Sequence, residues 1–155
     1  MTLLDDSIFA GIIASTPLVS IDLIVWNKSA EVLLGKRQNR PAMGYWFVPG
    51  GRIRKNERLC EALKRIAQGE LGLTATAGKL LGAFDHFYDD NTFGTPGFGT
   101  HYVALGYELT ISADTPIIQD AQHTDFKWWN VDALLLSEEV HPNTKLYFSD
   151  APQWI

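Results

Sequence analysis

The stretch from Gly50 to Leu73, GGRIRKNERLCEALKRIAQGELGL, constrains this chain more than any other: a Gly-Gly turn runs into a single amphipathic helix. Pro49-Gly50-Gly51 forces a tight turn, and without a Cβ in the way a backbone carbonyl there can be aimed at a cation. Asn56 reads as the N-cap, Glu57 lies where the helix dipole favours a carboxylate, and Gly72 is a natural stop, giving a helix of about fifteen residues. At about 100° per residue, Leu59, Leu63 and Ile66 share one arc, and Glu57, Glu61, Lys64, Arg65 and Gln68 share another. Glu70 falls between Leu59 and Leu63, on the arc that packs inward. A carboxylate there must be paired, bound to a metal or protonated, unless the last turn frays and swings it to water.

A length of 155 residues with 46% hydrophobic and 20% charged residues suits one domain over residues 1–155, with residues 1–16 as an N-terminal arm. Asp5 and Asp6 precede a short apolar run, Ile8 to Ala14, with no basic segment before it, so neither a secretory signal nor a membrane helix is expected. Cys60 stands alone and forms no intrachain disulfide, which fits a reducing, cytoplasmic setting; a catalytic thiol is the alternative reading. The net charge of −5 argues against general affinity for nucleic acid or membranes. Its distribution says more, because nine of the thirteen basic residues (Lys36, Arg37, Arg40, Arg52, Arg54, Lys55, Arg58, Lys64 and Arg65) straddle the Gly-Gly turn. Such a block reads as a site for a polyanion such as a diphosphate, with Arg54, Lys55, Arg58 and Lys64 assigned to a solvated helix face.

Residues 17 to 26 are rich in β-branched and aromatic types and read as a strand; alternation puts Ser20, Asp22 and Ile24 on one face, so that Asp22 can look into a cleft. Further strands are expected at Glu31 to Lys36, Tyr45 to Val48, Gly78 to Phe87, Thr100 to Ile111 and Phe126 to Asn130, with short helices at Asp132 to Ser137 and Asn143 to Phe148. Tyr88 to Gly99 is too long and glycine-rich for a tight hairpin, and loops of that kind often carry function. His86 enters it and His101-Tyr102 leaves it, so these side chains are expected to meet at one end of the sheet; for His86 and His101 both ligand contact and a structural role stay open. Gln119 to Asp125 reads as a loop carrying an amide, an imidazole and two carboxylates. Strands on either side of a long helix, with a later helix to cover the other face, make an α/β sandwich.

The spacing of the glycine turn and helix resembles the signature of the Nudix hydrolases, G-x5-E-x7-R-E-U-x-E-E-x-G-U, where U is a bulky apolar residue. Gly51, Glu57, Arg65, Ala67, Glu70, Gly72 and Leu73 fill the matching places, whereas Ile66 and Gly69 stand where the family has glutamates. From about Ser15 to Phe148 the chain is similar to the GDP-mannose mannosyl hydrolase branch of that family: STPLVS, LLGKR, NRPA with GYWFVPGGR, HFYDDN, THYV and Gln122-His123 stand as that branch has them, and the branch itself lacks the same two glutamates.

The resemblance implies a Nudix-type α/β/α sandwich with a mixed sheet, and hydrolysis of GDP-mannose at the anomeric carbon, with inversion, to GDP and free hexose. It implies one Mg²⁺ per subunit, with Mn²⁺ able to substitute, held by the Gly50 carbonyl, the Glu70 carboxylate and the Gln122 side-chain oxygen. Arg37 and Arg52 would hold the diphosphate, Asp22 would position the sugar or an arginine, and Arg65 would brace the helix against the turn. His123 is the candidate general base, while His86 and Tyr102 are candidates for contacting mannose or phosphate. The branch is homodimeric, with the N-terminal segment helping to form the neighbouring site, which makes Leu3 and Phe9 candidates for guanine or sugar contacts. The partner expected is thus a small nucleotide sugar, with no nucleic acid and no membrane. GDP-glucose stays open, since the two hexoses differ at one hydroxyl. Two other readings remain: an ordinary Nudix pyrophosphohydrolase attacking phosphorus, and a non-catalytic nucleotide-sugar sensor.

Overall fold

A computed structural model describes residues 4–75, 78–111, 115–117 and 123–150, with the backbone alone at residues 123 and 124. The chain runs α1 (Asp6–Ser15), β1 (Leu18–Trp26), β2 (Glu31–Arg37), β3 (Trp46–Phe47), β4 (Gly50–Arg52), α2 (Leu59–Leu71), β5 (Lys79–Tyr88), β6 (Thr100–Thr110), β7 (His123–Asn130), α3 (Val131–Leu136) and α4 (Pro142–Lys145), ending in a 3-10 turn, Leu146–Phe148. The strands form one seven-stranded mixed sheet: β3, β2, β1, β6 and β5 lie in that order, β4 pairs with β1, and β7 with β2. β1 and β6 run parallel over their whole length, from Leu18 opposite Tyr102 to Trp26 opposite Thr110.

Alternation along β1 explains the layering. Ile21, Leu23 and Val25 point to α2 and pack with Ala62, Leu63, Ile66, Ala67 and Leu71. Ile24, on the other face, joins Val32, Leu34, Trp46, Phe47, Trp129, Leu134 and Val140 under α3 and the C-terminal segment. The sandwich is therefore helix, sheet, helix, and Ser20 and Asp22 fall on the face away from α2.

Helix α2 differs from its sequence reading at one end. It begins at Leu59 instead of Glu57, with the Arg58 N–H donating to Glu61 Oε2 at 3.1 Å, and Asn56 takes a left-handed turn at φ 66°. The Glu57 carboxylate is withdrawn from the helix because Arg65 takes it, so residues 54–57 close as a turn, the Glu57 N–H donating to the Arg54 carbonyl at 3.1 Å. Leu59 is consequently exposed, while Gly72 ends the helix in the left-handed conformation expected of it, at φ 65°. Helix α1, unread in the sequence, is capped by Asp5, which accepts from the Ser7 N–H at 2.9 Å.

Candidate active site

The short glycine strand β4 wedges against β1 so that Gly50 lies opposite Asp22 and Gly51 opposite Ile21. Gly50 is required by contact, and Gly51 is closely approached by the helix. A Cβ on Gly50 would stand 2.5 Å from Asp22 Oδ1 and from the Ile21 carbonyl oxygen, and one on Gly51 would stand 3.2 Å from Ile66 Cγ1. The loop after β4 is braced from the helix: Arg65 donates to Glu57 through Nε at 2.6 Å and Nη2 at 2.9 Å, and Nη2 also reaches the Arg52 carbonyl at 2.9 Å. That is the bracing role expected of Arg65. The guanidinium, with the Arg54 N–H, holds the Glu57 carboxyl down at about 2.

This wedge forms one wall of a cleft of about 170 Å³ lined by Ser20, Asp22, Arg37, Pro41, Phe47, Val48, Gly50, Gly51, Arg52, His86, Tyr88 and Tyr102. A second hollow of about 260 Å³ shares Arg37, Pro41, Arg52 and Tyr102 with it and adds Phe9, Ile13, Asn39, Arg40, Thr92 and Thr100. Phe9, on α1, stacks under the Arg52 guanidinium with its ring centroid 4.0 Å from Cζ, and meets Phe93 of the 89–99 loop edge-on at 6.0 Å. That loop is held by buried Asn91, whose side-chain amide donates to the Thr95 and Phe98 carbonyls and accepts from the Phe93 N–H.

The floor of the cleft carries the perturbed groups. Asp22 is buried, and burial pushes its carboxyl up to about 7, against the pull of a hydrogen bond from Tyr147 and the charge of Arg37. His86 Nδ1 lies 3.7 Å from Asp22 Oδ2. Burial, aided by the neighbouring His141, lowers the His86 ring to about 4 while Asp85 opposes the shift, so at neutral pH His86 is an uncharged imidazole. Its Nε2 is buried without a protein hydrogen bond among the described residues. Tyr88 and Tyr102 are both raised, chiefly by burial, and remain phenols.

The fold thus brings together Asp22, Arg37, Gly50, Arg52, His86 and Tyr102, with Phe9 in the adjoining hollow. Glu70 is half-buried on α2, one turn beyond the Ile66 that packs on Gly51, and is not among the residues lining the cleft. His101 parts company with His86: adjacent strand residues alternate, so His101 turns outward, its ring 4.5 Å from that of Phe87 and its Nε2 3.5 Å from Asp85. Leu3 and Gln122 lie outside the described residues, and of His123 the structure gives the backbone, paired with Arg37 at the head of β7. Arg54, Lys55, Arg58 and Lys64 are exposed, as a solvated face requires. Sequence reasoning missed Tyr88, which alternation from His86 points into the same cleft, and Tyr147, for which no local pattern gave a sign.

A mixed sheet between helices, with a glycine wedge braced by a Glu-Arg pair to the following helix, defines a Nudix-type domain. A family model described as NUDIX domain matches residues 16–150, and the chain belongs to the Nudix hydrolase family. It is 41% identical over 147 residues to the low-salt glycan biosynthesis protein Agl8 of Haloferax volcanii, covering 94% of this chain and 89% of that one. It is 37% identical over 68 residues to an ADP-ribose pyrophosphatase of Methanocaldococcus jannaschii, covering 44% of this chain and 40% of the other. Among solved structures, the MutT protein of Methanosarcina mazei Go1 shares the fold with a TM-score of 0.71 at 22% identity, covering 86% of this chain and 92% of that one.

Nudix hydrolases work with a divalent cation such as Mg²⁺. Among the described residues no group of three or more His, Cys, Asp or Glu is placed to hold a metal. The residue types suit a hard cation: the backbone carbonyls of the glycine strand β4 and the carboxylate of half-buried Glu70 on α2 are oxygen donors of the kind Mg²⁺ prefers. None of the helices among the described residues is long and apolar enough to cross a membrane.

Proposed function

We propose that this chain hydrolyses GDP-mannose to GDP and free hexose by attack of water at the anomeric carbon, with inversion. The observation that carries the reading is the depleted helix face: Ile66, in an acidic place of the signature, is 2% exposed and packs on Gly51, and Gly69, in the other, has nothing within 4 Å of its Cβ position. Attack at phosphorus calls for cations held by several carboxylates, whereas attack at carbon needs a stabilised leaving group and a base on the opposite face of the sugar. The whole-length likeness to a glycan biosynthesis protein supports a sugar-nucleotide substrate.

In this reading Arg37 and Arg52, at the junction of the two hollows, grip the diphosphate and offset the charge that gathers on it as the C–O bond breaks. Gly50, Glu70 and Gln122 would hold the Mg²⁺, or Mn²⁺, which would supply positive charge to offset that of the leaving GDP. His123, whose backbone faces Arg37 across β2 and β7, takes the proton from water as the oxygen bonds to carbon, and the electron pair of the broken bond leaves with GDP. Asp22, His86 and Tyr102 line the cleft as hydrogen-bonding groups for the sugar and phosphate hydroxyls and oxygens. Phe9, and Leu3 before it, provide apolar surface for guanine or sugar, shared across a homodimer in the cytoplasm.

Incubation of GDP-mannose with Mg²⁺ tests the reading: GDP and mannose support it, while GMP and mannose 1-phosphate overturn it. The latter outcome is the second reading, a pyrophosphohydrolase, favoured by the partial likeness to an ADP-ribose pyrophosphatase. Replacing His123 by Ala should lower turnover about a hundredfold while leaving GDP affinity within a few-fold; normal turnover would remove His123 from the base role.

A further inference from the structure

Asp22 lies in a row across the sheet that has no other side chain beyond Cα. On β4 its neighbour is Gly50, on β6 it is Gly106, and Gly106 pairs in turn with Gly82 on β5. Directly paired residues share a face of the sheet, so this row is a trough with one carboxylate standing in it. The trough is filled from the far end of the chain. The ring of Tyr147, in the 3-10 turn Leu146–Phe148, lies over Gly106 so closely that a Cβ there would stand 2.8 Å from Cε1 and 3.1 Å from Cδ1. Phe84 and His86 wall the ring in, with centroids at 4.5 Å and 5.6 Å.

So placed, Tyr147 donates its hydroxyl to Asp22 Oδ2 at 2.7 Å, across 125 residues of sequence. Oδ1, the other oxygen, is turned toward Gly50, 2.5 Å from where a Cβ would be. A carboxylate has two equivalent oxygens and a soft final torsion, so one firm donor on one oxygen decides which way the other points.

We propose that Tyr147 is a positioning residue of the reaction: its hydroxyl fixes the carboxylate plane of Asp22 so that Oδ1 faces the Gly50 edge of the cleft. This rests on the cleft being the site of hydrolysis proposed above. Packing alone would account for the ring, which closes the C-terminal segment onto the sheet, but not for a hydroxyl aimed at the cleft's buried acid. Burial keeps that hydroxyl protonated, its ionisation pushed far up, so it acts as a constant donor.

The test is a double-mutant cycle of Tyr147→Phe and Asp22→Asn, with kcat and KM measured for mannose release from GDP-mannose and thermal unfolding alongside. Tyr147→Phe keeps the ring and its packing. It should lower kcat roughly tenfold with KM within about twofold, and its effect should vanish in the Asp22→Asn background. Gly106→Ala, which displaces the ring without removing the hydroxyl, should give a kcat deficit that Asp22→Asn likewise absorbs, an independent route if Tyr147→Phe folds poorly. Unchanged kcat in Tyr147→Phe, or deficits that multiply in the double variant, would overturn the assignment. A wild type that leaves GDP-mannose intact and cleaves ADP-ribose overturns the proposed function alone, and the same cycle run on ADP-ribose then decides the role of Tyr147.

Discussion

Two carboxylates flank the glycine wedge, and their surroundings drive them to opposite ends of the carboxylate range. Glu57 accepts two N–H bonds from Arg65 and one from the Arg54 backbone, and is held at about 2. Asp22 is buried against one phenol donor and a neutral histidine 3.7 Å away, and rises to about 7. The first is a completed ion pair that ties a loop to a helix. The second is a buried acid on the floor of a cleft that Arg37 and Arg52 also line.

The sharpest way to break this contrast is to fill the space between Asp22 and the wedge. Gly50→Ala puts a methyl group 2.5 Å from Asp22 Oδ1 and from a strand carbonyl, so β4 must move. Turnover should fall by more than about a hundredfold, with about 1–3 kcal/mol lost in denaturant unfolding. Asp22→Asn, which leaves the backbone alone, should cost roughly a hundredfold in kcat while Mg-GDP affinity, measured calorimetrically, stays within a few-fold.

Stability separates the pair by sign. A depressed carboxyl contributes stability that is present above its ordinary pKa and lost as the pH falls through its folded value. Glu57→Gln should therefore lower stability by about 1–2 kcal/mol at pH 7, a gap that closes as the pH falls from 4.5 toward about 2. A raised carboxyl does the reverse. The cost of charging buried Asp22 is absent below 3.8 and grows as the pH rises to about 7, so in metal-free protein Asp22→Asn should gain on wild type across that window. Melting curves for both variants between pH 3 and 8 check the two slopes; slopes of the same sign would dissolve the contrast. The mildest change is Gly69→Ala, at an exposed helix position with open space around it, which should add about 0.5–1 kcal/mol and leave turnover within twofold.

Much of this site is legible in the sequence because it is local or periodic. Alternation along one strand sends Asp22 to the face opposite Ile21 and Leu23, and the glycine-helix frame carries Gly51, Glu57, Arg65 and Gly72 in fixed spacing. The helix start was misjudged because Glu57 belongs to Arg65, eight residues away, before it belongs to the helix dipole. Helix α1 went unread because a short apolar run after Asp5 and Asp6 has no strong face of its own; in the fold it buries Ile13 and stacks Phe9 on Arg52. The glycine row around Asp22 and the arrival of Tyr147 depend on register among four strands and on a contact spanning most of the chain, which no window of sequence contains.

The change from phosphorus to carbon is the central claim, and isotope placement tests it most directly. Hydrolysis of GDP-mannose in ¹⁸O-labelled water, followed at once by mass spectrometry of both products, should place the label in the hexose and none in GDP. Label in a phosphate would mean that water attacks phosphorus, and would contradict the account.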